Sequence, residues 1–151
     1  MPQSLANVLV HVIFSTKERR SFLQNVSIRQ ETSSYLAGIL RNLECRPVVV
    51  GCVSDHVHIL CSLSRNISLA DLVEEVKKSS SKWVKTKGAD FHDFQWQNGY
   101  GVFSVSPSNV NEVRAYIERQ EDHHKATSFQ EEFRRFLERH TVEYDERFVW
   151  D

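Results

Sequence analysis

His56 and His58 stand one residue apart in the run DHVHIL, inside an otherwise apolar stretch. In a strand, side chains two apart project on the same face, so these imidazoles are neighbours while Val57 points the other way. Two such rings can share one divalent cation, or they can be hydrogen-bonded sheet residues, and the pair alone does not decide. Asp55 reads as a turn former or as an acceptor for an imidazole N–H. A third ligand has to come from elsewhere. In YIERQ, Tyr116 and Gln120 are four residues apart and lie on one face of a helix, one turn apart. Taken alone they are a core-edge aromatic and a solvated helix former; beside a histidine pair they offer a phenol and an amide oxygen. No other tyrosine has such a partner. Tyr35 falls on an apolar helical stripe, Tyr100 follows a turn, and Tyr144 sits in the C-terminal EYDERFVWD, which reads as a packing tail.

The elements that position these residues separate well. Residues 5–15 are β-branched and aromatic without caps and read as a strand ending in the polar turn TKERR. Residues 24–43 repeat apolar positions at helical spacing, through Ile28, Thr32, Tyr35, Leu36, Ile39, Leu40 and Leu43. CRPVVVGCV and HVHILCSL follow as two strands around Ser54 and Asp55, a tight antiparallel hairpin. Ser68 caps a second helix to about residue 87, with Leu69, Leu72, Val73, Val76 and Trp83 as its stripe. Asn98-Gly99 signals a hairpin within FQWQNGYGVFSV. A helix then spans about 109–124, its neighbouring stripe Val110, Val113 and Ile117, and another carries Phe129, Phe133, Phe136 and Leu137 on one side. The order predicts an α+β protein: a ferredoxin-like antiparallel sheet of the split βαβ, RRM-like kind, with helices on one face plus C-terminal helices. Residues 1–151 form one expected domain.

Nineteen Lys and Arg against twenty Asp and Glu leave a net charge of -1, so a polyanion must be held by a local basic patch. Lys77, Lys78, Lys82, Lys85 and Lys87 crowd the second helix, with Lys78, Lys82 and Lys85 along one side. Lys17, Arg19 and Arg20 form a second cluster after the first strand. Either is a phosphate-tracking surface or a solvated face. The odd cysteines Cys45, Cys52 and Cys61 lie among apolar residues and form no C-x-x-C, which fits reduced core thiols and a cytoplasmic protein. The N-terminal apolar stretch is too short to span a membrane and lacks the marks of a leader. His11 lies in the first strand, near the site or merely buried, and His123 and His124 are candidates for DNA contact.

D-H-V-H-I-L in a strand, Y-x-x-x-Q in a later helix, the opening H-V-I-F-S-T-K-E-R-R and W-Q-N-G-Y-G-V-F-S-V-S together resemble the HUH single-tyrosine transposases of the insertion-sequence 200/605 group. The resemblance covers nearly the whole chain. It implies Tyr116 as nucleophile and His56, His58 and Gln120 as ligands of Mg or Mn. It further implies cleavage and rejoining of single-stranded DNA at insertion-sequence ends through a 5′-phosphotyrosine. The substrates it implies are hairpins at mobile-element ends, and the assembly a homodimer with shared active sites, for which Ser106 to Asn109 would be the hinge. Two rivals stand beside it: a metal-dependent hydrolase in which water attacks the phosphodiester, and a non-catalytic single-stranded nucleic-acid-binding module on the same fold. The domesticated repeat-associated transposases share the chemistry.

Overall fold

A computed structural model describes residues 2–151. Its strands are β1 (Leu9–Ser15), β2 (Pro47–Cys52), β3 (His56–Ser62) and β4 (Gly101–Val105). All pairings are antiparallel and the order is β2-β3-β1-β4, the expected split βαβ sheet. Every residue of β1 is buried. A central strand covered on both faces loses the apolar–polar alternation of a half-solvated one. The Ser54-Asp55 turn forms as expected, closed by Val53 N–H donating to the His56 carbonyl at 3.0 Å.

Two helices cover the first face. In α1 (Val26–Asn42) the Asn25 side chain accepts from the Ile28 N–H at 3.1 Å, and in α2 (Leu69–Val84) the Ser68 hydroxyl accepts from the Asp71 N–H at 3.0 Å. Each cap satisfies one of the donors that a helix start leaves free. Leu36 and Leu40 of α1 and Leu72, Val73 and Val76 of α2 bury against Val10, Val12, Phe14, Val57 and Ile59. Tyr35 departs from its expected place, being 36 % exposed and stacked on Trp83 at 4.6 Å. Cys45, Cys52 and Cys61 are buried and unpaired; burial pushes the Cys52 thiol up to about 11 and Cys61 up to about 12.

The second face is covered too, by α3 (Val110–Glu118), α4 (Gln120–His123) and α5 (Phe129–Arg139). Phe129, Phe133 and Leu137 of α5 join Ile13 and Phe103 in a second core. Bare backbone lets these helices approach. A Cβ on Gly51 would lie 2.7 Å from Cγ2 of Ile117, and one on Gly101 2.5 Å from Cε2 of Phe133. The helix expected over 109–124 is broken at Arg119, which sits at φ -99° and ψ 15°. There the Tyr116 carbonyl accepts from the Arg119 N–H at 3.3 Å and from the Gln120 side-chain amide at 3.2 Å. Ser106 to Asn109 is a single tight helical turn capped by the Ser106 hydroxyl.

The Asn98-Gly99 hairpin does not form. Its first arm contributes only a bridge between Trp96 and Thr16. The turn residues are held otherwise: Lys77 Nζ donates to the carbonyls of Gln97, Asn98 and Gly99 at 2.8, 3.1 and 2.7 Å, and the Gly99 N–H donates to the Asp151 carbonyl at 2.8 Å. Burial pushes the Lys77 ammonium down to about 8, and its three carbonyl partners commit it to the loop. Lys77→Met leaves three carbonyls without their donor and is expected to destabilise the fold by about 2 kcal/mol. Urea unfolding followed by circular dichroism checks it.

Candidate active site

β3 delivers His56 and His58 to the second face, where neither has any exposed surface. The ladder sets their neighbours: His58 stands opposite Ile13 and Gly51, and His56 opposite Ser15. One nitrogen of each ring is tied down. His56 Nδ1 meets Asp55 Oδ1 at 2.7 Å, and His58 Nδ1 meets His11 Nε2 at 2.8 Å. Such contacts orient an imidazole and leave its other nitrogen for a ligand. Asp55 and His11 therefore hold the pair from behind. Both Nε2 atoms turn toward α5, and that of His56 is buried with no hydrogen-bond partner.

Tyr116 of α3 enters the same space. Its ring packs edge-on against His58 at 5.9 Å and Phe136 at 5.8 Å, and its hydroxyl donates to Glu132 of α5. Burial, then the neighbouring Glu132 carboxylate, holds the phenol well above its ordinary pKa. Gln120 is 2 % exposed; its Oε1 accepts from His124 Nε2 at 2.8 Å, so it reaches the histidine pair through His124, whose ring lies 4.3 Å from that of His56. His56, His58, His124 and Glu132 each offer a ligand atom, all within 4.8 Å of one another. This buried group has the donors to hold a metal ion. At His58 burial dominates and pushes the imidazole down to about 4; at His56 burial is outweighed by the Asp55 and Glu132 carboxylates, which raise it. Burial opposes the charge on Glu132, but the imidazoles of His124, His56 and His58 around it hold its carboxyl far below the usual range.

A cavity of about 460 Å³ opens beside Tyr116, lined by Arg119, Arg135 and Arg139 together with Phe103, Phe136 and His140. Among the described residues, none of these arginines has a carboxylate within ion-pair reach. Phe103 is buried and stacks on Phe136 and His140, whereas Tyr100 is exposed near Lys77. The basic clusters singled out in the sequence do not line this cavity. Lys78, Lys82 and Lys85 are exposed along α2 and the turn after it, on the opposite side of the sheet from the histidine pair. Lys17 is exposed, Arg19 stacks over Trp150 at 5.9 Å, and Arg20 pairs with Asp93 at 2.8 Å.

Residues 4–120 match the model of the family described as IS200-like transposase. The chain belongs to this family. The transposase is 25 % identical over 121 residues to the ISDra2 transposase TnpA of Deinococcus radiodurans, covering 74 % of this chain and 83 % of that protein. A 1.90 Å crystal structure described as a candidate transposase from Deinococcus radiodurans R1 superposes with a TM-score of 0.62 at 22 % identity, covering 80 % of this chain and 95 % of that one. A REP-associated tyrosine transposase bound to a REP hairpin superposes with a TM-score of 0.60 at 14 % identity, covering 82 % and 72 %. Membership makes the protein a DNA-processing enzyme of transposition. Among the described residues, no helix of the transposase is long and apolar enough to cross a membrane.

Sequence reading missed Glu132 and the place of His124, which it assigned to DNA contact. A signal existed for the first. Glu132 follows Phe129 by three residues and precedes Phe136 by four, so it is a carboxylate on the apolar stripe of α5.

Proposed function

We propose that the transposase cleaves and rejoins single-stranded DNA through Tyr116, whose phenolic oxygen attacks the phosphorus of a phosphodiester. The P–O3′ bond breaks, the 3′ oxygen leaves as a hydroxyl, taking up a proton as Tyr116 loses one, and the 5′ side stays joined to the protein as a 5′-phosphotyrosine. The phosphodiester energy is retained, so a second 3′ hydroxyl can reverse the step and join new ends without a nucleoside triphosphate. One observation carries this reading: the Tyr116 hydroxyl and the Nε2 atoms of both histidines converge on the one Glu132 carboxylate.

The donor set fits a divalent cation, because His56 Nε2 is buried and unpartnered and faces further nitrogen and oxygen donors. His56 and His58 would hold Mg or Mn together with the amide oxygen of Gln120. The bound cation would polarise the scissile P–O bond and orient the phosphate for in-line attack. Asp55 and His11 keep the two rings turned toward it. Arg119, Arg135 and Arg139 supply positive charge to phosphates beside the attacked one, and Lys17, Arg19, Arg20, Lys78, Lys82 and Lys85 are available to flanking DNA, including hairpins at mobile-element ends. In salt titrations of single-stranded DNA binding, Arg135→Gln/Arg139→Gln is expected to flatten the slope of log K against log salt by roughly 0.7 for each phosphate that the variant no longer neutralises.

The reading is tested on denaturing gels with single-stranded oligonucleotides from the DNA flanking the gene, in manganese and in EDTA. A band of protein joined to DNA in manganese alone supports it. Cut DNA with no joined band would replace it with hydrolysis. The chain brings Tyr116 against its own His58, whereas a homodimer with shared active sites would take the tyrosine from the partner. An equimolar mixture of Tyr116→Phe and His58→Ala separates the two arrangements: recovered cleavage means exchange between subunits, and continued silence means sites completed within one chain.

A further inference from the structure

Transesterification by Tyr116 leaves one buried group without a task. Glu132 has 1 % exposure, yet its carboxylate lies among four imidazoles and a phenol. Oε1 is 2.8 Å from Nε2 of His58 and 3.5 Å from Nε2 of His56, to which it makes no hydrogen bond. Oε2 is 3.2 Å from His124 Nε2 and 3.3 Å from His123 Nε2, and it accepts from the Tyr116 hydroxyl. The residues that match the family end at 120, so this carboxylate comes from beyond the shared pattern.

We propose that Glu132 is itself a ligand of the divalent cation, with His56 and His58, and that the same side chain holds Tyr116 beside it. The inference rests on the cation site proposed above. Oε1 faces the histidine pair and Oε2 faces the phenol, so one side chain spans the cation site and the nucleophile. The chemistry of the donors agrees. Two imidazoles alone favour softer transition metals, and an anionic oxygen brings the set toward Mg or Mn while neutralising part of the cation's charge. Gln120 offers only a neutral oxygen, which already accepts from His124. A carboxylate that merely filled the site until DNA arrived would have to withdraw. The helix that carries Glu132 is anchored against that, because Phe129, Phe133 and Leu137 of α5 pack in the second core on either side of it. A buried anion facing the unpartnered His56 nitrogen is a pairing that a cation between them would satisfy.

Manganese binding to the full chain, followed by isothermal titration and by the paramagnetic resonance of free Mn(II), tests the proposal without reference to activity. Glu132→Gln, which keeps shape and loses charge, is expected to weaken binding at least about 10-fold, and Gln120→Ala to weaken it less. Glu132→Asp keeps a shortened carboxylate and is expected to fall between wild type and Glu132→Gln. Wild-type or tighter affinity in Glu132→Gln would overturn the proposal, because it would make the carboxylate a competitor of the cation; an Asp variant no better than the Gln variant would do the same. Failure of the underlying site is separate: it shows as no binding by wild type, or as undiminished binding in His58→Ala.

Discussion

Tyr116→Phe is expected to fold normally and to form no covalent complex with single-stranded DNA, with cleavage reduced on the order of 10³-fold or more. Only the hydroxyl is removed. The ring stays to pack on His58, His123 and Phe136, and Glu132 keeps its imidazole partners, so an unchanged melting curve accompanies the abolished chemistry. The oxygen beside the Tyr116 hydroxyl belongs to the Glu132 carboxylate, which is buried and bonded to histidines and is a poor substitute. A gel resolving joined from free DNA, run beside a thermal melt, checks both halves of this expectation.

His58→Ala is the second large effect. It removes one imidazole of the pair and a side chain buried between His11 and Glu132. Loss of cation-assisted charge stabilisation is worth several kcal/mol, or about 10²-fold or more in rate at 1.36 kcal/mol per tenfold. Manganese should no longer stimulate cleavage. His11→Ala acts one bond further out: with nothing held against Nδ1, His58 is less firmly oriented, and a loss of about 10- to 100-fold in metal affinity or rate is expected. A manganese titration of cleavage rate separates the two variants, since His11→Ala should still respond at higher metal and His58→Ala should not.

The contrast between these residues shows how far the sequence could be read. His56 and His58 were legible because a strand's two-residue period puts them on one face, and Asp55 because a turn before a histidine is a natural acceptor. The sheet order followed from strand, helix and turn signals. His11 was visible as an oddity, but its contact with His58 needs the register of β1 on β3, which no local pattern encodes. Asn98-Gly99 misled because the turn signal is local, whereas Lys77 reaches in from α2 and the chain's last residue takes the Gly99 N–H. The break at Arg119 was hidden for a related reason. Spacing places Gln120 one turn beyond Tyr116, but the backbone leaves helical geometry at Arg119, whose N–H turns to the Tyr116 carbonyl. Glu132 was overlooked because an amphipathic stripe of phenylalanines invites reading its lone carboxylate as solvated.

Mass spectrometry of the joined protein–DNA complex tests most directly whether Tyr116 is the nucleophile. After nuclease and trypsin digestion, the expected result is a nucleotide remnant on the peptide spanning residues 115–119, attached through the Tyr116 oxygen by a 5′ phosphate. A remnant on any other residue, or cut DNA with every peptide unmodified, would contradict it.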